Sequence, residues 1–203
     1  MKSLSEIDTT SKRASRAVGF SWGEAEEIGK SVRLLELFGL PGIKNLNHYY
    51  HLKINQKFDN LSLIKENNIS EKNSYCPITL GIKFLDQIRS LEKYKKIKFN
   101  KVAFPLLMLS FLSRSSEIIG KKINVKFNDA EFLLNLNVNI ASNLLNNDCP
   151  INADNFEVNI IDNKDNFLDE DWRSLYKLSE QTFVEETDSL KQSAAGAGLT
   201  DND

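Results

Sequence analysis

Apolar positions recur at steps of three and four residues through about the first 120 positions, and at steps of two thereafter. The first repeat marks amphipathic helices and the second marks half-buried strands. The clearest segment runs from Gly19 to Gly39. Ser21 and Glu24 are spaced as a capping box, and Phe20 and Ala25 as a hydrophobic staple. Ala25, Ile28, Val32 and Leu35 form one apolar face. Glu24, Glu26 and Glu27 lie at the positive end of the helix dipole, and Gly39 is placed to close the helix in a left-handed conformation. An earlier helix opens at Ser3 or Ser5, with Ser3 and Glu6 as a second capping box. Its apolar stripe of Ile7, Ala14, Ala17 and Val18 is thin, and Lys12, Arg13 and Arg16 stand opposite. A third helix follows Leu40-Pro41-Gly42 and turns Ile43, Leu46, Tyr49 and Tyr50 inward.

Lys53 to Ser74 is rich in Asn, Lys and Ser and reads as a loop-rich crossing. A fourth helix runs from about Pro77, which suits a first helical turn, to Leu91. The lysines at 93, 95, 96, 98 and 101 read as a solvated linker. VAFPLLMLSFL is apolar on all sides and therefore buried, as a strand ending near Phe104 and a helix through Ile119 stopped by Gly120. Ile123 to Phe127 and Glu131 to Ile140 alternate as a hairpin around Asn128-Asp129, and Asn155 to Ile161 adds a third strand. Asp169 to Glu180 reads as a helix with Trp172, Leu175, Tyr176 and Leu178 turned inward. The pattern therefore predicts an α+β fold. A helical N-terminal half packs with a small, mostly antiparallel C-terminal sheet and a late helix. A single domain over residues 1–203 is expected, helical to about 120 and β-rich over about 121–203.

With 26 basic and 28 acidic residues the net charge is −2, too near neutral for broad attraction to nucleic acid or anionic lipid. No apolar run approaches the ~20 residues of a membrane span, and MKSLSEIDTT lacks the apolar core of a signal peptide, so a cytoplasmic protein is expected. Cys76 and Cys149 each precede a proline without a CxxC partner; ordinary thiols are expected, with pairing left open. His48 and His51 share a helix face but have no further ligand cluster, so no metal is expected and no cofactor is named.

Chemistry is expected where charge and glycine gather. Arg13 and Arg16 can pair bidentately with a carboxylate or phosphate, or form a solvated helix face. Trp22 and Glu26 can line a pocket. In the ending SAAGAGLTDND, Gly196 and Gly198 allow close backbone approach, and Asp201 and Asp203 supply negative charge. That ending is either ordered against the basic helix face or loose.

The motif SxxEIxxxxxRAxRAxGFSWGxAEExG, from Ser3 to Gly29, resembles the opening of an uncharacterised bacterial family, domain-of-unknown-function family 3726. CPITLG from Cys76, FPLLML from Phe104, WxxLxxLxxxTxVxE from Trp172 and the final GAGLTDND are similar to that family in the same order. The family's usual arginine after the serine is replaced here by Leu190 and Lys191 following Ser189. The resemblance implies a bacterial source and brings no activity with it. Two functions fit these residues. One is a small-ligand-binding or accessory subunit of a metabolic enzyme, meeting a small anionic metabolite or a partner enzyme. The other is a small enzyme whose site joins the N-terminal helices to the glycine-rich tail, with Glu26 or Glu27 as acid or base. The thin stripe of the first helix needs cover from the rest of the chain or from a second protomer, so a homodimer is compatible with either.

Overall fold

A computed structural model of the chain describes residues 2–144 and 149–183. These fall into two compact units, one reaching Asn163 and one starting at Lys164.

The first unit opens with α1 (Leu4–Ala17), α2 (Trp22–Leu37) and α3 (Gly42–Lys53). Both capping boxes form: Ser3 and Ser21 accept from the amides of Glu6 and Glu24, whose carboxylates return to the cap amides. Gly19 and Gly39, at φ 96° and 72°, turn the chain after α1 and α2 in a conformation that costs glycine nothing. The buried face of α1 is not its alanine stripe. Ser11 and Ser15 are buried, while Ala14 and Ala17 are exposed. Small side chains there allow the backbones of α1 and α2 to close up: a Cβ on Gly29 would lie 2.6 Å from Asp8 Oδ1.

After the loop holding the two-residue β1 (Asn67–Asn68) come α4 (Pro77–Leu91), β2 (Lys96–Ala103) and α5 (Pro105–Ile119). The strand expected to end near Phe104 is β2, and it starts earlier than expected, at Lys96, inside the lysines read as a linker. Ile97 and Phe99 point into the core and Lys96 and Lys98 point out, so the lysines are the polar half of an alternating pattern. Strand therefore begins well before residue 120. The rest of the sheet is β3 (Ile123–Phe127), β4 (Ala130–Asn135), β5 (Asn139–Ser142) and β6 (Asn152–Ile160). The single strand expected from Glu131 to Ile140 is two, β4 and β5, because Leu136 and Asn137 take positive φ and reverse the chain.

The sheet has the order β1-β2-β6-β3-β4-β5, and only β1 with β2 is parallel. One face carries Phe99, Phe127, Phe132 and Phe156, with Phe127 stacked on both Phe132 and Phe156 at 5.5 and 5.4 Å. On it lies α5, buried along nearly its whole length, with α4 beside it and α2 and α3 beyond. The other face is polar. The row Lys98, Glu157, Lys126, Glu131 alternates in sign across β2, β6, β3 and β4. The fold class is α+β.

In the second unit, α6 (Asp169–Ser179) is followed by a 3-10 turn at Glu180–Thr182. Trp172, Leu175, Tyr176 and Leu178, expected to turn inward, are all exposed. The described part of this unit is one helix and one turn, which offers no second apolar face to bury them. Phe167 does stack on Trp172, at 5.8 Å.

Candidate functional site

Arg16 and Trp22 come together, but not as an open anion site. The Arg16 guanidinium lies 4.8 Å over the Trp22 ring and donates to the carbonyl of Phe20. Lys53 donates to the Val18 carbonyl at 3.4 Å. Two cations thus hold the carbonyls of the turn that ends α1, where the helix dipole is negative. Arg13 and Glu26 are exposed. Gly196, Gly198, Asp201 and Asp203 lie outside the described residues.

A cavity of about 400 Å³ opens beside that turn. It sits where the N-termini of α2 and α4 meet the C-terminus of α3. The turn before α2 contributes Phe20, and the first turn of α2 contributes Glu24. The end of α3 contributes Tyr49 and Lys53, and the chain just beyond brings Lys57. Cys76 and Thr79 come from the start of α4. Segments more than fifty residues apart in sequence are joined here, so helical periodicity along any one of them does not reveal the site.

The floor is a buried pair: Tyr49 Oη and Cys76 Sγ are 3.0 Å apart. Burial, then the neighbouring thiol, pushes the Tyr49 hydroxyl far above its ordinary value, so it stays a neutral phenol. Tyr49 is fixed from behind by Phe104, whose ring meets it edge-on at 5.6 Å. Phe104 itself takes φ 43° at the junction of β2 and α5, a conformation that costs a bulky residue energy. The surrounding packing, and the bond from its amide to the Ile151 carbonyl at 2.6 Å, hold it there.

Cys76 is the cap residue of α4 but supplies no side-chain cap. Pro77 has no N–H, so the amides of Ile78 and Thr79 are the first donors of that helix and receive no side-chain partner there. Thr79 donates its hydroxyl to Asn60 at 2.7 Å. The charged groups lining the cavity are Lys53, Lys57 and Glu24, and Glu24 is tied to the Ser21 amide at 2.8 Å. The net charge of the lining is positive, and a helix N-terminus faces the same space. That arrangement suits a small anion. Among the described residues no group of three or more His, Cys, Asp or Glu is placed to hold a metal ion. No helix among them is long and apolar enough to cross a membrane.

Of the lining groups, Tyr49 was expected to face inward and Cys76 to be an ordinary thiol. The signal that pointed further was the Cys-Pro step opening α4, which places a thiol at a helix N-terminus. No curated protein and no solved structure matches the chain. Residues 2–75, spanning α1 to α3 and the loop that leads to Cys76, match the family described as “Protein of unknown function (DUF3726)”, the family that their motifs resemble.

Proposed function

We propose that this is a bacterial, cytoplasmic small-ligand-binding protein or accessory subunit of a metabolic enzyme, and that its ligand is a small anionic metabolite held in the cavity between α2, α3 and α4. The observation that carries the reading is the approach of Lys53, Lys57 and the uncapped start of α4 to one cavity floored by Tyr49 and Cys76. A carboxylate or phosphate group would take its hydrogen bonds from the lysines and helix amides, and the phenol would offer a further neutral donor. The near-zero net charge argues against nucleic acid and anionic membranes as partners. A second copy or a partner enzyme is compatible with the same reading, and light scattering against concentration reports the first of these.

The test is a thermal-shift and calorimetry screen of small carboxylates and phosphates at low ionic strength. A ligand present at a hundred times its dissociation constant stabilises by about 2.7 kcal/mol, a rise of roughly 5–10 °C for a chain of this size. Lys57 is exposed, so Lys57→Gln should leave the fold intact and weaken binding. A panel with no saturable binder, or a binder indifferent to Lys57→Gln and Lys53→Gln, would remove this site. The reading of the chain as a small enzyme is favoured only by the Tyr49–Cys76 contact. Consumption of a bound compound by the wild type but not by Tyr49→Phe would support it.

A further inference from the structure

Helix α6 turns its apolar side to water. Leu168, Trp172, Leu175 and Tyr176 recur at steps of three and four residues, within about 100° of one another around the axis. All four are exposed, Leu168 by 71% and Leu175 by 64%. Phe167 stacks on Trp172 and extends the same surface. Within the described part of the second unit nothing covers this face. We propose that it is a self-association surface: a second copy of the chain lays its own α6 across it, antiparallel, about a two-fold axis.

The first support is the helix's own length. A helix of 11 residues is marginal in water by itself, and helices in proteins are held mainly by burying an apolar face. The second is area. Aromatic side chains carry about 150–250 Å² each, so with Leu178 and Phe183 at the margins the exposed apolar surface is on the order of 700 Å² per copy. Two copies would bury about 1,400 Å² together, inside the range of about 1,200–2,000 Å² for a specific interface.

The third support is charge. α6 opens with Asp169, Glu170 and Asp171, and Arg173 and Lys177 follow. An antiparallel pair sets the acidic start of each helix beside the basic end of the other and opposes their dipoles. Asp169 then lies nearest the partner's Lys177, twice over by symmetry. A parallel pair would crowd the two acidic starts together. A lipid surface fits less well, because helices that lie on anionic bilayers are rich in Lys and Arg, and the polar side of α6 is net acidic.

The experiment is light scattering and sedimentation of the full chain at rising concentration. Mass is expected to move from one chain towards two over roughly 1–100 μM, the weak end for an interface of this size. Trp172→Ala should weaken the dimer at least tenfold, about the loss of a buried aromatic anchor. Its melting temperature should hold, because Trp172 is no part of the first unit's core. Asp169→Asn and Lys177→Gln should each weaken the dimer about two- to fourfold, and the double variant no more than the stronger single one. These side chains stand eight residues apart, too far to pair along one helix, so non-additivity reads a contact between copies. Lys57→Gln should leave the mass unchanged, which keeps this test apart from that of the anion cavity. A strict monomer throughout that range overturns the proposal, whether α6 is then covered by its own chain, a lipid vesicle or another protein. So does a dimer that survives in Trp172→Ala or in a chain ending at Asn163, and so does additivity of the two charge variants.

Discussion

At the scale of single residues, the informative group is Glu27. It accepts from Arg114 on α5 at 2.5 Å and from Lys30 at 2.8 Å, tying α2 to the helix that lies on the sheet. Burial works against its charge, but the hydrogen bonds and charges of Lys30 and Arg114 outweigh it and hold the carboxyl below its ordinary 4.5. The unfolded chain therefore binds the proton more readily than the folded one. The ion pair's stabilisation is present above pH 4.5 and is lost as pH falls through the lower folded value. Glu27→Gln is expected to cost about 1–3 kcal/mol at neutral pH, since it leaves a half-buried guanidinium short of its partner. The gap from wild type should close in acid. Urea melts at pH 7 and pH 3 measure this, and a gap that widens in acid would reverse the assignment. Sequence placed Glu27 in the acidic first turns but could not show Arg114, because that contact spans 87 positions. Arg16 was named as an anion-binding candidate, and what the sequence did not show is its carbonyl partner. Its pairing with Trp22 follows from nearness in the chain, but its donation to the Phe20 carbonyl depends on how the Gly19 turn points that oxygen.

At the scale of elements, two glycines in helices make opposite predictions. A Cβ on Gly81 would lie 2.3 Å from the ring of Phe111, the fully buried centre of the contact between α4 and α5. Gly81→Ala gains about 1 kcal/mol of helix propensity but forces apart a packed core, which costs about 1–3 kcal/mol. Net destabilisation is expected. Gly23, at the start of α2, would present its Cβ to open space, so Gly23→Ala should stabilise by about 0.4–1 kcal/mol. Chemical denaturation of the two variants should show midpoints moving in opposite directions. If both rise, the helix contact at Phe111 is looser than described. Elements with strong local signals, such as α2, α4 and α5, were legible because caps, prolines and periodicity agreed. The lysines of β2 hid the start of the strand expected to end near Phe104, because only two core-facing residues, Ile97 and Phe99, interrupt them before Val102. The reversal between β4 and β5 was hidden because Leu136 is not a residue that announces a positive φ.

At the scale of the whole molecule, the candidate site was only partly legible, for a physical reason. A cavity made where three helix ends meet owes its existence to how α2, α3 and α4 cross, and no sequence spacing encodes a crossing. The end of the folded core is more sharply marked. Every buried apolar side chain among the described residues lies at or before Ile160, and every described residue from 161 to 183 is exposed. Asp162 and Asn163 still serve the first unit: Asp162 accepts from Lys121 at 3.2 Å, and Asn163 donates to the Gly120 carbonyl at 2.7 Å. A chain ending at Asn163 therefore keeps the whole aromatic and aliphatic core and the bonds that anchor the end of β6. It is expected to unfold in one cooperative transition, with a melting temperature within about 2–4 °C of the full chain, equivalent to about 1 kcal/mol. A chain ending at Ile160 loses both anchors and should melt lower than the chain ending at Asn163. Calorimetry of the two truncations checks the order. Should the longer one already fail to fold, residues beyond 163 supply stability that the core of the first unit does not explain.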